Sequence, residues 1–226
     1  MNRTDHNRLF NEIISDLSKN TASGLNINEP DTALRANTVK PKLLLHACCA
    51  PCASICMDRV RDHFDTTVYF FNPNITILKE YEYRLAELRR LIDIYNEMDG
   101  RGKIDILEGE YDPDIFFTMA KGYEECPERG ARCHLCYEMR LNASLIMAES
   151  LGANYYATTL TLSPLKDAAV LNEIGYGLAQ DLKSSVKWLP SDFKKEDGYK
   201  KSIELSKKYG LYRQNYCGCL YSRQDH

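Results

Sequence analysis

The sequence predicts an α/β fold of Rossmann-like type, with a mostly parallel sheet and helices on both faces. From residue 41 onward, short apolar runs alternate with longer segments of helical period, which is the rhythm of a doubly wound sheet. A chain of 226 residues with 44% hydrophobic content can bury the substantial core that such a sheet requires. Three cysteines follow the first apolar run, and ligands in these folds bind beyond the carboxyl ends of the strands.

Residues 1–40 form a separate region of the pattern. Apolar side chains recur there at helical spacing, at Phe10, Ile13, Ile14 and Leu17. Asp5 precedes them in the position of an N-cap, whereas residues 21–40 are polar and have no period. We therefore predict an N-terminal amphipathic helix and linker over residues 1–40, followed by an α/β domain over residues 41–226.

Each strand of that domain is predicted from a short run of aliphatic, β-branched or aromatic residues. These runs lie at residues 43–45, 68–71, 104–107, 155–158 and 186–189. The helices are predicted from longer segments of helical period between and after the runs. They cover residues 52–64, 81–95, 113–122, 133–151, 168–182 and 198–209.

Charge and targeting signals bound the setting. A net charge of −3 and a pI near 6.0 give no global attraction to nucleic acid, so a polyanion would have to bind local patches. The N-terminus lacks the basic and apolar regions of a signal peptide, and no stretch is long enough for a membrane span. We expect a cytoplasmic protein with no membrane partner, in which thiols stay reduced.

Seven of the nine cysteines fall into three tight groups. The groups are Cys48, Cys49 and Cys52; Cys133 and Cys136; and Cys217 and Cys219. A tetrahedral zinc ion or a cubane iron-sulfur cluster takes at most four protein ligands. Seven thiols therefore imply one complete metal centre and a second site formed by the other three, which indicates redox chemistry.

The first two groups lie where helices are predicted to begin. A helix N-terminus stabilises thiolates, so the turn after the first strand favours metal ligands. In an extended segment Cys48 and Cys49 point to opposite sides, and they can share one ion only if the backbone turns between them. Cys133 and Cys136 are three residues apart on one helical face, so both sulfurs can reach one metal centre.

The third group lies near the C-terminus. Gly218 permits the tight backbone that brings Cys217 and Cys219 together, either on one metal or as a strained, easily reduced disulfide. His46 and His134 lie next to the first two groups. Either could donate a proton or contact a metal ligand, and either could equally be a packing residue.

Four ordered segments carry a more specific pattern. They are CCAPC at residues 48–52; FFNPNI at residues 70–75 with Glu80, Tyr81 and Arg84; GARCHLCY at residues 130–137 with Arg140 and Leu141; and LYRQ at residues 211–214 with YCGC at residues 216–219. Together they resemble the cobalamin-independent epoxyqueuosine reductases of the QueH type. The resemblance runs from about Leu43 to the end of the chain.

This resemblance implies an oxidoreductase that removes the epoxide oxygen of epoxyqueuosine at the wobble position of tRNA, the last step of queuosine biosynthesis. It implies a 4Fe-4S cluster bound by Cys48, Cys49, Cys133 and Cys136. A second iron or a redox-active disulfide would be formed at Cys217 and Cys219, with Cys52 at this second site. The partners would be tRNA carrying epoxyqueuosine and an external electron donor of low potential. The reaction would also need a proton source, for which His46, Tyr137 and Tyr216 are candidates.

Contacts with RNA are predicted from local features only. The paired lysines Lys194 and Lys195 are one of several basic spots, and Thr159 to Lys166 could form an anion pocket at a helix start capped by Ser163. An unstacked base could rest on Tyr69 or Tyr111. A solvated helix surface explains the lysines equally well.

Three other classes of protein were weighed against this interpretation. An ATP-dependent tRNA-modifying enzyme of similar fold would need a Gly-rich phosphate loop after the first strand, where this chain has cysteines instead. A zinc-stabilised RNA-binding module would leave three thiols without a role. A thiol-disulfide oxidoreductase would use Cys217 and Cys219 without a metal. The second and third remain alternatives.

Overall fold

Five parallel strands form one sheet in the order β3-β2-β1-β4-β5. The structure is a computed structural model that describes residues 4–22, 40–98 and 100–222. The strands are β1 (Lys42–His46), β2 (Asp65–Phe70), β3 (Ile104–Glu108), β4 (Tyr155–Thr158) and β5 (Lys187–Trp188). The predicted α/β class is confirmed, and all pairs of neighbouring strands are parallel.

The α-helices of the described residues follow the predicted order closely. They are α1 (His6–Ala22), α2 (Ala50–Val60), α3 (Leu78–Asn96), α4 (Pro113–Ala120), α5 (Ala131–Ser150), α6 (Ala168–Asp181) and α7 (Gly198–Tyr209). One predicted start is wrong, because Ser163 does not cap a helix. Thr159–Leu162 is a single 3-10 turn, and Asp167 caps α6 by accepting a hydrogen bond from the Ala169 amide. Among these helices, none has an apolar stretch of the length needed to cross a membrane.

The sheet separates two layers of core. Successive residues of a strand point to opposite faces, so Leu43 and Leu45 pack with α2 and α3, whereas Leu44 packs with α5 and α6. Because β1 lies in the middle of the sheet, its carboxyl end is flanked by the ends of β2 and β4. That arrangement brings the residues after β1 between the loops that follow its two neighbours.

The N-terminal helix docks on the α/β domain. Phe10 is 2% exposed and packs edge-to-face on Phe193 at 5.4 Å, with the Arg59 guanidinium 4.7 Å from its ring. The side-chain amides of Asn7 and Asn11 donate to Glu196 at 2.8 and 2.7 Å. Residues 23–39, which contain most of the predicted linker, lie outside the described residues. The division into residues 1–40 and 41–226 therefore stays a prediction.

Candidate functional site

The first cysteine group occupies the turn between β1 and α2. Cys48 lies in a bend, and Cys49 is the extended residue that precedes α2. This bend brings the two Sγ atoms to 3.9 Å, with Cys48 donating to Cys49. The backbone turn on which a shared ion depends is therefore present at Cys48, and it brings the two thiols together. Cys52 follows in the first turn of α2 and accepts a hydrogen bond from the Cys49 thiol.

These thiols are harder to ionise than their position at a helix start predicts. The hydrogen bond that Cys48 donates to Cys49, together with burial, raises the pKa of Cys48 well above its usual value. The pKa of Cys49 is lowered by that same hydrogen bond, but its own bond to Cys52 and its burial raise it to about 11. Desolvation therefore outweighs the helix dipole here, and the thiols of Cys48 and Cys49 are both protonated at neutral pH. Binding of a metal would have to displace these protons.

The second group lies in the first turn of α5. The backbone N–H of Arg129 donates to the Cys133 Sγ at 3.3 Å, and burial raises the pKa of Cys133. Burial also raises the pKa of Cys136 to about 11. The negative charge of Cys217 adds to both shifts, so the CxxC pair faces the C-terminal cysteines.

The third group is held in a tight turn by polar contacts to its backbone. Gly218 has φ of 103°, and its carbonyl accepts from the Thr76 amide at 3.3 Å. The carbonyl oxygen of Cys217 accepts from Asn74 Nδ2 at 3.4 Å and from Arg84 Nη1 at 3.1 Å. Sequence reasoning predicted this turn correctly, because a positive φ at its centre suits glycine and few other residues.

Cys217 and Cys219 have very different acidities. A hydrogen bond from the Cys219 thiol lowers the pKa of Cys217 well below its usual value, and Lys166 and Ser222 add to this effect. The same hydrogen bond raises the pKa of Cys219. The pair is thus arranged as one thiolate and one thiol. All nine cysteines of the chain are free thiols.

The first and third groups line one cavity at the carboxyl edge of the sheet, and the second group packs against both. The cavity has a volume of about 140 Å³, and its lining includes Cys48, Cys49, Cys52 and Cys217. Cys133 packs against the cluster that contains Cys48 and Cys49, and Cys136 packs with Cys219. The loops after β1, the first turn of α5 and the C-terminal segment therefore contribute to one site.

The donor chemistry of this site fits an iron-sulfur cluster or a thiolate-bound metal. Thiolates favour soft or borderline ions. Four cations line the same cavity beside a single carboxylate, Glu128: Arg84, Arg140, Lys166 and Arg213. Among the described residues, no three His, Cys, Asp or Glu side chains form a ready-made group for one metal ion. The ligand set of Cys48, Cys49, Cys133 and Cys136, and the roles of Cys52, Cys217 and Cys219, therefore stay predictions.

A buried polar network stabilises the turn that carries Cys48 and Cys49. Arg140 Nη2 donates to Asn72 Oδ1 at 2.6 Å, and Asn72 Nδ2 donates to the Ala47 carbonyl at 2.9 Å. Arg140 Nε donates to His46 Nε2 at 3.3 Å. The same Nε2 atom lies 3.3 Å from the Phe71 carbonyl oxygen, and Nδ1 lies 2.8 Å from Thr158 Oγ1, so both ring nitrogens of His46 have polar partners.

Sequence reasoning assigned no role to Arg140, Asn72 or Arg84, although all three belong to the motifs that carry the resemblance. Their position within the motifs was the available signal. Nothing in the local pattern distinguishes a buried arginine on a helix from an exposed one. Only the packing of the first half of α5 against the ends of β1 and β2 buries Arg140.

Several predicted contributors to the site lie elsewhere or are inaccessible. Tyr69 is 4% exposed and stacks on Phe71, so it cannot stack an RNA base, whereas Tyr111 is partly exposed. His134 is exposed on the outer side of α5. His46 is fully buried, and burial together with Arg140 holds its pKa well below its usual value. Of the three proposed proton donors, Tyr216 is the one that lines the cavity.

A second groove adjoins the cavity, and its lining has four cations against three carboxylates. It has a volume of about 770 Å³ and shares Pro164 and Lys166 with the thiol cavity. Arg129, Lys194 and Lys195 also line it. A larger cleft of about 1210 Å³ lies at the amino ends of β1, β4 and β5, and its lining contains no cysteine.

The fold and the site define a Rossmann-like α/β protein that gathers thiols at the carboxyl edge of its sheet for metal or redox chemistry. The family described as epoxyqueuosine reductase QueH matches residues 43–225. The chain belongs to this family of oxidoreductases.

Individual relatives agree with this assignment. The chain is 41% identical over 185 residues to the epoxyqueuosine reductase QueH of Staphylococcus epidermidis, an alignment that covers 81% of this chain and 76% of that protein. It is 38% identical to the protein of that name from Streptococcus pyogenes serotype M1, and the alignment covers 82% of this chain and 71% of that protein. The protein of that name from Thermotoga maritima is 32% identical, and the alignment covers 80% of this chain and 89% of that protein.

Proposed function

We propose that this protein reduces epoxyqueuosine to queuosine at the wobble position of tRNA, using a 4Fe-4S cluster and an adjacent second iron or redox-active cysteine pair. The observation that carries the proposal is that two of the cysteine motifs line one cavity and the third packs against them, within a chain of the QueH family. A zinc module needs only four of the seven thiols, so the size of the thiol set favours the reductase.

The proposed reaction is a two-electron deoxygenation. The epoxide accepts two electrons and two protons, both carbon–oxygen bonds break, an alkene forms and water leaves. Cys48, Cys49, Cys133 and Cys136 would hold the cluster, and Cys52, Cys217 and Cys219 would form the second site. A bound cluster would supply electrons singly, and a second iron would act as a Lewis acid toward the epoxide oxygen.

Residues of the chain would provide electrons and protons for this reaction. The Cys217 thiolate and the Cys219 thiol lie in hydrogen-bond contact, so their oxidation to a disulfide would release two electrons and would leave one thiol proton to transfer. Tyr216 lines the cavity and could donate the second proton at its phenolic oxygen. An external donor of low potential would then restore the reduced state.

The second groove would bind the RNA backbone beside the cavity. Lys166 lines both spaces, and the groove also presents Arg129 and Lys195. Because the chain has a net charge of −3, such a local patch would be required for phosphate contacts. The modified nucleoside would have to leave the anticodon stack to enter the cavity.

Anaerobic purification and a direct assay test the function. We expect brown protein with about four iron and four sulfide per chain for the cubane, and more iron if the second site is filled. Supplied with tRNA containing epoxyqueuosine and a strong chemical reductant, this protein should form queuosine, detected by mass spectrometry of the nucleosides. Absence of queuosine with iron-replete protein would refute the function, and colourless protein with stoichiometric zinc would favour the RNA-binding alternative.

A second experiment addresses the RNA groove. The double variant with Arg129→Ala and Lys195→Ala should bind the tRNA about tenfold or more weakly and show a smaller dependence on salt, because two phosphate contacts are lost. Lys207→Ala, on the last turn of α7, is the matched control and should bind as the wild type does. Equal binding by all three proteins would exclude this groove as the RNA site.

A further inference from the structure

Arg140 is a buried cation that lacks a carboxylate partner. Its side chain is 2% exposed, and within the described ranges no salt bridge includes it. Its hydrogen bonds go to the neutral groups His46 and Asn72 and to the Cys136 thiol. An isolated buried charge is expensive, so such a residue needs an anion to balance it.

Arg61 shows how another buried arginine of this protein is balanced. It is also fully buried, at the C-terminal end of α2, and donates to the Tyr95 carbonyl at 2.9 Å. The carboxylates of Asp58 and Asp62 act on it and favour its charged form. Arg61 thus has carboxylates among the groups that act most strongly on it, whereas the corresponding groups at Arg140 are thiols.

The acidic groups that surround Arg140 are thiols. Burial lowers the pKa of Arg140, but the charges of Cys136, Cys48 and Cys217 more than offset this effect. One of these thiols belongs to each of the three cysteine groups, so Arg140 lies where the groups approach one another. Metal ligation converts the protonated thiols of the other two groups to thiolates, and thereby adds negative charge beside Arg140 to that of the Cys217 thiolate.

We propose that Arg140 is the counter-ion of the thiolate-bound metal centre, so that it stabilises the loaded site and is less completely balanced in the metal-free protein. This inference rests on the metal centre of the proposed function. Arg140 acts through the ligands and is therefore a positioning residue. Arg140 also donates a hydrogen bond to Asn72, which in turn donates to the Ala47 carbonyl. These bonds connect the guanidinium of Arg140 to the turn that carries Cys48 and Cys49.

The test measures iron retention and stability separately. Wild type, Arg140→Gln, Arg140→Lys and the control Arg61→Gln are reconstituted anaerobically with ferrous iron and sulfide, and each is also studied after removal of the metal by a chelator. For each protein the rate of iron loss to the chelator and the melting temperatures of the loaded and metal-free forms are recorded. The increase in melting temperature upon loading is the critical quantity.

We expect Arg140→Gln to lose iron about 10–100-fold faster, which is typical for loss of a group that supports metal ligands. Its increase in melting temperature upon loading should shrink, because the loaded form loses a charge pair while the metal-free form loses a less completely balanced charge. Arg140→Lys keeps the charge and should retain iron within about threefold of the wild type. Arg61→Gln should lower both melting temperatures equally and leave iron retention unchanged.

A purely structural role for Arg140 would give a different pattern. Arg140→Gln would then lower both melting temperatures equally, as Arg61→Gln does, and iron retention would not differ from the wild type. That result would overturn the inference while leaving the proposed function intact. Failure of the wild-type protein to bind iron would overturn both.

Discussion

Replacement of Gly218 by alanine tests whether the turn between Cys217 and Cys219 determines the site. Gly218 has φ of 103°, a conformation that residues with a Cβ atom rarely adopt. A Cβ added there would lie 2.7 Å from the Ile75 Cγ1 atom, and Ile75 is completely buried in the core. Neither the backbone nor the neighbouring side chain can therefore move freely to accommodate it.

Two costs contribute to the expected effect. A left-handed backbone costs an alanine about 1–2 kcal/mol relative to glycine. Forcing one methyl group into a packed core costs about 1–3 kcal/mol. We expect Gly218→Ala to lower the free energy of unfolding by about 2–5 kcal/mol, or to displace the C-terminal segment from the cavity if that segment opens alone.

Urea denaturation and a double-variant cycle measure these contributions. In an Ile75→Ala background the Cγ1 atom is absent, so Gly218→Ala should cost only the backbone part, about 1–2 kcal/mol. Single-turnover reduction of the tRNA should also fall, because the thiol contact between Cys217 and Cys219 depends on the turn. A cost below about 0.5 kcal/mol, or an equal cost in both backgrounds, would contradict the geometry described here.

Four further outcomes are expected. Phe10→Ala should lower the free energy of unfolding by about 3–5 kcal/mol in urea titrations, unless α1 detaches first, and an effect below about 1 kcal/mol would mean that the helix is not docked. In reduced, metal-free protein, Cys217 should react with iodoacetamide at lower pH than Cys219, since the pKa of Cys217 is lowered, and Cys219→Ala should move the pH profile of Cys217 to higher pH; labelling of Cys219 before Cys217, detected by mass spectrometry, would contradict this. Because the pKa of His46 is lowered in the fold, His46 binds a proton more readily in the unfolded chain. The free energy of unfolding should therefore fall as the pH drops below about 6.5, by up to about 1.4 kcal/mol per pH unit, and His46→Gln should reduce this pH dependence. Cys133→Ala should lose most cluster iron, whereas Cys219→Ala should keep most of it and lose turnover; retention of activity by both variants would refute the ligand assignment.

The fold could be predicted well from local pattern. Each predicted strand overlaps an observed one, and α7 (Gly198–Tyr209) and β4 (Tyr155–Thr158) agree residue by residue. Alternation of apolar side chains depends on the geometry of single elements, so it can be read from neighbouring positions. The helix predicted at residues 52–64 begins earlier, at Ala50, and ends earlier, at Val60, because helix ends depend on few residues.

The candidate site could be predicted only in part. The seven cysteines and the turn at Gly218 are evident from residue type and spacing. The acidity of the thiols is not, because the predicted effect of the helix start on Cys48 and Cys49 is outweighed by burial and by hydrogen bonds between thiols. Burial depends on what packs over a residue, and its neighbours in sequence do not report this.

The sequence by itself determined the α/β class, the membership of the cysteine groups and the resemblance to the QueH family, because each of these depends on the identity and spacing of nearby residues. Only the tertiary structure decided that the three cysteine groups pack together at one edge of the sheet and that Arg140 lies buried beside them. Those relations join segments that are separated by many tens of residues along the chain. The strand order of the sheet, with β1 between β2 and β4, brings them together.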